Sequence, residues 1–569
     1  MASIIKKTVS GKSYYYYVEM ARIDGKPKRT KQVYLGSAES IIKNHDSQKP
    51  MQPLHSEIEA FADVCALYDL AQRLSLVEML DQYLPKRNQG ISLGIYTLIA
   101  AINRAVSPLA KMNIAQWYSK TTLKTLLPVA KSGLACQRFW DNMDIIEDKH
   151  IQAFEEAFLE EVLEQYPIDT TRLIYDATNF FTFQSPETDS DIAKKGHGKD
   201  KGTRLKIVGL SMMITPDFNM PLLYDVYPGN RHDSKEFYEM IVKMQERYTM
   251  ITKQTANITI SFDKGNNAED VIDQLENGRI PFHYIGALRL SQISDMLDIP
   301  IKQYHVYKDE YSTTKEKTRI YRTEKMLYGR NMTVLITFNP RLFSKHLHTY
   351  ENSIAKTEAE LAHLQQQLNE RAMKTVLKGR QMTAESVSKR LREILSRDHM
   401  SKVFITNIEV GDDVSRPRIT YSFDKGASDS VATRHFGKRA FFTSQHKWQN
   451  EEIVGAYDSA WHVEGVFRQM KNPHHLPVRP IFHWTDSKIK IHIFFCVLAY
   501  RLCCILNHEL KARGVDVSIN KMLDSLAEVK RVVTIFSTNK SDILVALSKG
   551  DKLAEGVLAF YDLRAKYLT

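Results

Sequence analysis

The chain has 569 residues, 43% of them hydrophobic and 25% charged. That is long enough for two to four domains with at least one large core, and too apolar for wholesale disorder. Lys and Arg number 78 against 67 Asp and Glu, a formal net charge of +11; this favours polyanionic partners, because each cation that meets a phosphate releases condensed counterions.

Residues 1–50 read as a small β-rich module. KSYYYYVEMARIDGKPKRTKQVYLG gives two aromatic and β-branched runs around an Asp-Gly-Lys-Pro turn, with a basic cluster at Lys26, Lys28, Arg29 and Lys31. MQPLHSE reads as a linker. Residues 57–165 carry apolar residues at three- and four-residue spacing, as in FADVCALYDLAQRLSLVEMLDQYL, and read as helical. The character changes near 170. RLIYDATNFFTF, LKIVGLSMMIT, MPLLYDVYPGN and ANITISFDKGN are short apolar runs bounded by turn residues, with helices at DSKEFYEMIVKMQERY and NAEDVIDQLENG. Three strands, then helix, strand and helix, describe a mixed α/β sheet over residues 170–290.

Residues 291–440 interrupt that pattern with a hairpin at TRIYRTEKMLYGRNMTVLITF and a helical hairpin. In the latter, Ile354, Leu361, Leu364 and Leu368 share a stripe that AESVSKRLREILS can cover. Residues 441–484 return to the core, and 485–569 read as helical. The most apolar stretch, IHIFFCVLAYRLCCIL, is broken by Arg501 and is too short to span a bilayer. The five cysteines form no C-x-x-C pair, and the first residues lack an apolar core of signal-peptide length. A reducing cytoplasm without a membrane is the expected setting.

The chemical signal is acidic. Asp176 follows the apolar run Leu173-Ile174-Tyr175, and Asp263 follows Ile258-Thr259-Ile260-Ser261-Phe262. Carboxylates at the mouth of a buried sheet are costly unless paired or bound to a metal. Three of them together call for a divalent cation with oxygen preference, and two such ions about 4 Å apart can activate the attacking oxygen and stabilise the leaving oxygen of a phosphodiester. In YDSAWHVEGVFRQMKN, a continuous helix places Tyr457, Glu464, Arg468 and Lys471 within roughly a 60° arc, with Val463, Phe467 and Met470 on an adjoining buried arc. The competing reading is a solvated face with a Glu464–Arg468 pair. SFDKG occurs twice; Asp263 is preferred over Asp424 because an apolar strand precedes it and an amphipathic helix follows it.

The spacing of Tyr457, Glu464 and Lys471 resembles the Y-R-E-K signature of insertion-sequence DDE transposases, with Ala460 standing where that pattern has arginine. HGKDKGTRLK, the Pro228-Gly229-Asn230 turn with Asp233, RPIFHWTDSKIKIHIFFCVLAYRL and NRAVSPLAKMNIAQWYSKT are similar to the same family. The resemblance implies an RNase H-like catalytic domain interrupted by an insertion domain, flanked by helical N-terminal and C-terminal regions. It implies Asp176, Asp263 and Glu464 as catalytic ligands of Mg²⁺ or Mn²⁺, two ions in all, with Tyr457 and Lys471 on DNA phosphate. Either Arg468 or His462 replaces the missing arginine, or the protein binds DNA without catalysis; a plain nuclease on the same core is the other alternative. Double-stranded DNA, as terminal inverted repeats and as target, is the implied partner. A homodimer on DNA is the implied assembly, and a bacterial, nucleoid-associated location the implied setting. Lys199, Lys201 and Arg204, in a loop expected beside Asp176, are further candidates for backbone contact. Trp461 suits either a base stack or the core. His346, His348, His474 and His475 lack the spacing of a zinc site.

Overall fold

Between Val9 and Lys12 the chain reverses through Ser10 and Gly11, both at positive φ (49° and 78°), the mirror-image two-residue turn whose twist matches that of paired strands. It joins β1 (Ala2–Val9) to β2 (Lys12–Ile23), and β3 (Lys26–Gly36) completes an antiparallel three-stranded sheet. The computed structural model describes residues 2–23, 26–47, 53–86, 90–196, 205–252, 257–307, 317–373, 382–410, 417–536 and 543–568. Lys26, Lys28, Arg29 and Lys31 are exposed on β3. After β4 (His55–Ala60) come helices that include Ala62–Arg73, Leu93–Val106 and Asp148–Gln165.

The central sheet begins with β5 (Arg172–Phe181), β6 (Ile207–Ile214) and β7 (Pro221–Pro228), followed by the Asp233–Thr252 helix, β8 (Thr259–Phe262), the Glu269–Asn277 helix and β9 (His283–Leu288). The strand β10 (His305–Val306) and the hairpin β11 (Arg319–Leu327) with β12 (Arg330–Phe338) follow. Next come the helices Pro340–Ala372 and Ala384–Ile394, the pair β13 (Phe404–Glu409) and β14 (Arg418–Phe423), the Lys425–His435 helix, and β15 (Lys438–Thr443). Nine strands form one mixed sheet in the order β10-β11-β12-β15-β9-β8-β5-β6-β7, parallel only at β5/β8 and β8/β9. Every residue of β6 is buried, which is why its sequence is a continuous apolar run without polar alternation.

The stretch read from the sequence as one interruption, 291–440, divides in the structure. The hairpin β11–β12 extends the central sheet through β15. The segment between β12 and β15 packs an apolar cluster of its own, in which Leu361, Leu364 and Leu368 meet Val387 and Leu391. The tail also departs from the helical expectation: β16 (Lys530–Ile535) pairs with β17 (Ile543–Leu547) and with β4. Val532, Val533 and Thr534 are β-branched and favour a strand once a partner edge is present, and the edge comes from residues 55–60, in the stretch read as linker and helix.

The Asp486–Ala512 helix is the single helix among the described residues long and apolar enough to cross a membrane, and 94% of its apolar window is buried inside the fold. It is a core helix.

Two glycines in the sheet are dictated by close approach. A Cβ on Gly209 would lie 2.3 Å from the Tyr227 ring across β6 and β7, and one on Gly286 would lie 2.4 Å from the Phe442 ring. Gly209→Ala is therefore expected to lower stability by about 1–3 kcal/mol through overpacking, read as a lower urea midpoint. An unchanged midpoint would show that the Tyr227 ring can swing aside.

Candidate active site

Strands β5 and β8 run parallel, with Arg172, Leu173 and Ile174 beside Thr259, Ile260 and Ser261. Carried two residues further, that register sets Asp176 beside Asp263, at the ~4.8 Å spacing of neighbouring strands. Asp263 follows the last residue of β8, yet its backbone stays extended (φ −83°, ψ 160°), so the strand direction holds as far as the carboxylate. Successive side chains point to opposite faces, and the rings tell which face is which. Tyr175 stacks on Phe237 at 4.2 Å, and Phe262 lies 4.7 Å from the same ring; both turn toward the Asp233–Thr252 helix. Asp176 and Asp263 therefore turn to the other face.

That face is covered by the helices Asn450–Asp458 and Trp461–Lys471. Ser261 Oγ donates to the Ala456 carbonyl at 3.3 Å, and Tyr457 Oη donates to Asp263 Oδ1 at 3.4 Å. At the far end Lys471 Nζ lies 5.8 Å from the centre of the Phe180 ring, and beyond it Ile481 bridges to Thr182. The Glu464 helix thus runs in the same sense as β5. Seven residues from Glu464 to Lys471 span ~10.5 Å of helix, and four residues from Asp176 to Phe180 span ~13 Å of strand. Glu464 therefore stands near the level of Asp176. Val463, Phe467 and Met470 are buried and fasten the helix to the sheet.

The three carboxylates share a face but are not closed into a cage: among the described residues no three Asp, Glu, His or Cys side chains are gathered as a metal site. Asp176 is half-buried and accepts from the Ala177 N–H at 2.7 Å. Asp263 and Glu464 are exposed. Glu464 and Arg468 make no ion pair with each other or with any other described residue, so the bland pairing on this helix does not form.

Other expectations change. The chain breaks at Ser459 and Ala460, so Tyr457 lies on a separate helix from Glu464 and the continuous 60° arc does not exist. Tyr457 reaches the site by a different route, packed 4.5 Å from Phe441; burial, and then the Asp263 charge, push its phenol up. His462 points away from the carboxylates, about 200° around the helix from Glu464. It meets Asn219 Oδ1 at 2.6 Å, stacks on Trp461 at 3.9 Å, and is held below the usual imidazole range by burial and then Lys511. Trp461 is 62% exposed, which rules out the core role. Asp424 does precede a helix, contrary to the sequence reading, but it caps that helix by accepting from the Ala427 N–H at 2.9 Å, beside the two-stranded β13–β14 sheet. Lys199, Lys201 and Arg204 lie outside the described residues.

Two groups had escaped notice. Glu236 is fully buried, accepting from Ser211 Oγ at 2.8 Å and Arg231 Nη1 at 3.0 Å. Burial, then the Asp225 charge, push its carboxyl up to about 7. Ser211 pairs with Ala177, so Glu236 lies across the sheet from Asp176. Arg439, on β15, pairs with Asp458 at 2.6 Å and lies over the Tyr457 ring at 5.7 Å. Only the basic run Lys438-Arg439 marked it in the sequence.

A mixed sheet with two aspartates in register on neighbouring strands, Asp176 within β5 and Asp263 just past the end of β8, under a helix bearing a glutamate, is an architecture suited to phosphoryl-transfer chemistry. Residues 167–502, well over half of the chain, match the family described as "Transposase DDE domain". The chain belongs to that family. Among solved structures it is similar to the piggyBac transposase synaptic complex with hairpin DNA, determined by cryo-EM, at 8% identity over 83% of this chain and 82% of that one, with a TM-score of 0.38. No curated protein matches it.

Proposed function

We propose that this chain is a metal-dependent transposase that cleaves DNA at the ends of a mobile element and joins the freed 3′ ends to target DNA, with Asp176, Asp263 and Glu464 as its catalytic carboxylates. The observation that carries the reading is the β5/β8 register, which sets two aspartates edge to edge beneath the Glu464 helix. The donor set fits a hard divalent cation: three carboxylates of oxygen type, with Glu464 exposed and free to turn toward the strands. Two Mg²⁺ or Mn²⁺ ions would supply Lewis acidity at the phosphodiester. Tyr457, hydrogen-bonded to Asp263, orients that carboxylate, and Arg468 and Lys471 lie one and two turns beyond Glu464, where they can meet the DNA backbone. The exposed cations of β3 suit a second DNA contact, and a homodimer holding two ends is the assembly this reading expects.

The test uses duplexes taken from the DNA flanking the gene. Strand cleavage is expected with Mg²⁺ or Mn²⁺ and is expected to stop in chelator; cleavage that persists in chelator overturns the reading. Pre-cleaved ends mixed with plasmid are expected to give joined products, whereas hydrolysis without joining indicates a nuclease. Ala460 favours one second reading, a DNA-binding protein without catalysis, for which binding without any metal-dependent cut is the expected result.

A further inference from the structure

Strand β15 pairs antiparallel with β9, setting Phe441 opposite Ala287 and Ala440 opposite Leu288. One step further, the same register puts Arg439 opposite Arg289. Like charges placed directly opposite one another repel. Of the two, Arg439 is ion-paired, its Nη2 on Asp458 at 2.6 Å, whereas Arg289 is exposed and has no ion pair among the described residues. The Arg439 guanidinium is held in place by ring faces, 5.1 Å from Phe441 and 5.7 Å from Tyr457. It stays 44% exposed, and its Asp458 partner is 50% exposed. Both arginines line a cleft of about 690 Å³ with Asp263, Lys264, Lys438, Tyr457 and, from the separate apolar body, Asp398 and His399. With Lys438 turned to the Leu297 carbonyl, two arginines and Lys264 stand against two carboxylates, Asp263 and Asp398, and the wall keeps a positive balance that suits an anion. The planar guanidinium fork matches the geometry of phosphate.

We propose that Arg439 and Arg289 bind the phosphodiester backbone of DNA on the Asp263 side of the site, supplying from β15 and the end of β9 a cation that the Ala460 turn lacks. The inference rests on the transposase reading above. In the free protein Asp458 holds Arg439; an exposed ion pair is weakly held, and a phosphate that accepts two charge-assisted bonds displaces the carboxylate.

Binding of a short fluorescent duplex of arbitrary sequence, measured against salt in the presence of chelator, tests this. Each lost phosphate contact lowers the slope of log K against log salt by about 0.9. Arg439→Ala and Arg289→Ala are each expected to show that loss with weaker binding, and Arg439→Lys is expected to keep the slope. Asp458→Asn, which frees Arg439, is expected to bind as well as the parent or better. An unchanged slope in Arg439→Ala overturns the proposal. So does Asp458→Asn weakening binding as much as Arg439→Ala does, because the pair would then serve only the fold. Asp263→Asn separates the two readings: if it still cleaves DNA, the catalytic assignment falls while the binding slopes stand.

Discussion

Glu464→Gln is expected to slow strand cleavage by about three orders of magnitude while leaving DNA binding and the unfolding transition near their parent values. The expected size follows from the several kcal/mol of charge stabilisation that a bound cation supplies, at about 1.4 kcal/mol for each factor of ten. Retention of the fold follows from the structure: Glu464 is exposed and without an ion-pair partner among the described residues, while the helix is fastened by Val463, Phe467 and Met470 on its other side. Asp176→Asn and Asp263→Asn are expected to behave alike, since an amide keeps the shape of the carboxylate and removes the hard anionic donor. Asp424→Asn is the control. It touches the N-cap of a helix in the separate apolar body and is expected to cost at most about 1 kcal/mol of local stability with cleavage intact. A Glu464→Gln protein that still cuts, or an Asp424→Asn protein that folds and does not, would sink the assignment.

What the sequence made legible was local. RLIYDATNFF and TISF are apolar runs bounded by turn residues, and each is a strand ending at or passing through its aspartate. The stripe Leu361, Leu364 and Leu368 is a helical core face because three- and four-residue spacing brings side chains together whatever surrounds them. What failed depended on distant partners or on a break without punctuation. The turn at Ser459–Ala460 contains neither glycine nor proline, so periodicity ran straight through it and joined Tyr457 to the wrong helix. The strand β16 needs β4, some 470 residues earlier in the chain, before its β-branched run has an edge to pair with. The hairpin β11–β12 was readable as a hairpin, but its place in the central sheet is decided by β15, about a hundred residues on. The opposition of Arg439 and Arg289 has the same origin: it exists only through a β9/β15 register that no local pattern announces.

Glu155→Ala is expected to destabilise the fold by about 3–5 kcal/mol, the cost of leaving a buried charge without its partner. Arg501 is wholly buried in the Asp486–Ala512 helix, with Nη1 on Glu155 Oε1 at 2.7 Å. Its Nε donates to the Pro221 carbonyl at 2.8 Å and its Nη2 to the Leu222 carbonyl at 3.2 Å. One side chain therefore ties three elements together: the long core helix, the Asp148–Gln165 helix and the start of β7. Burial, then the Glu155 charge, push the neighbouring Tyr224 phenol up. Replacing both partners with apolar groups, Glu155→Leu with Arg501→Met, removes the stranded charge and is expected to recover part of the loss. Recovery stops short of complete because the Pro221 and Leu222 carbonyls lose their donor, and an unpaired buried acceptor costs about 1–3 kcal/mol. Urea unfolding of the two singles and the double gives the coupling directly. A Glu155→Ala loss below about 1 kcal/mol would mean that water entering the space of the lost side chain relieves the Arg501 charge. Cleavage by Glu155→Ala at low temperature is expected to match the parent, because Arg501 anchors β7, at the end of the sheet, with β6 between it and the strand that carries Asp176.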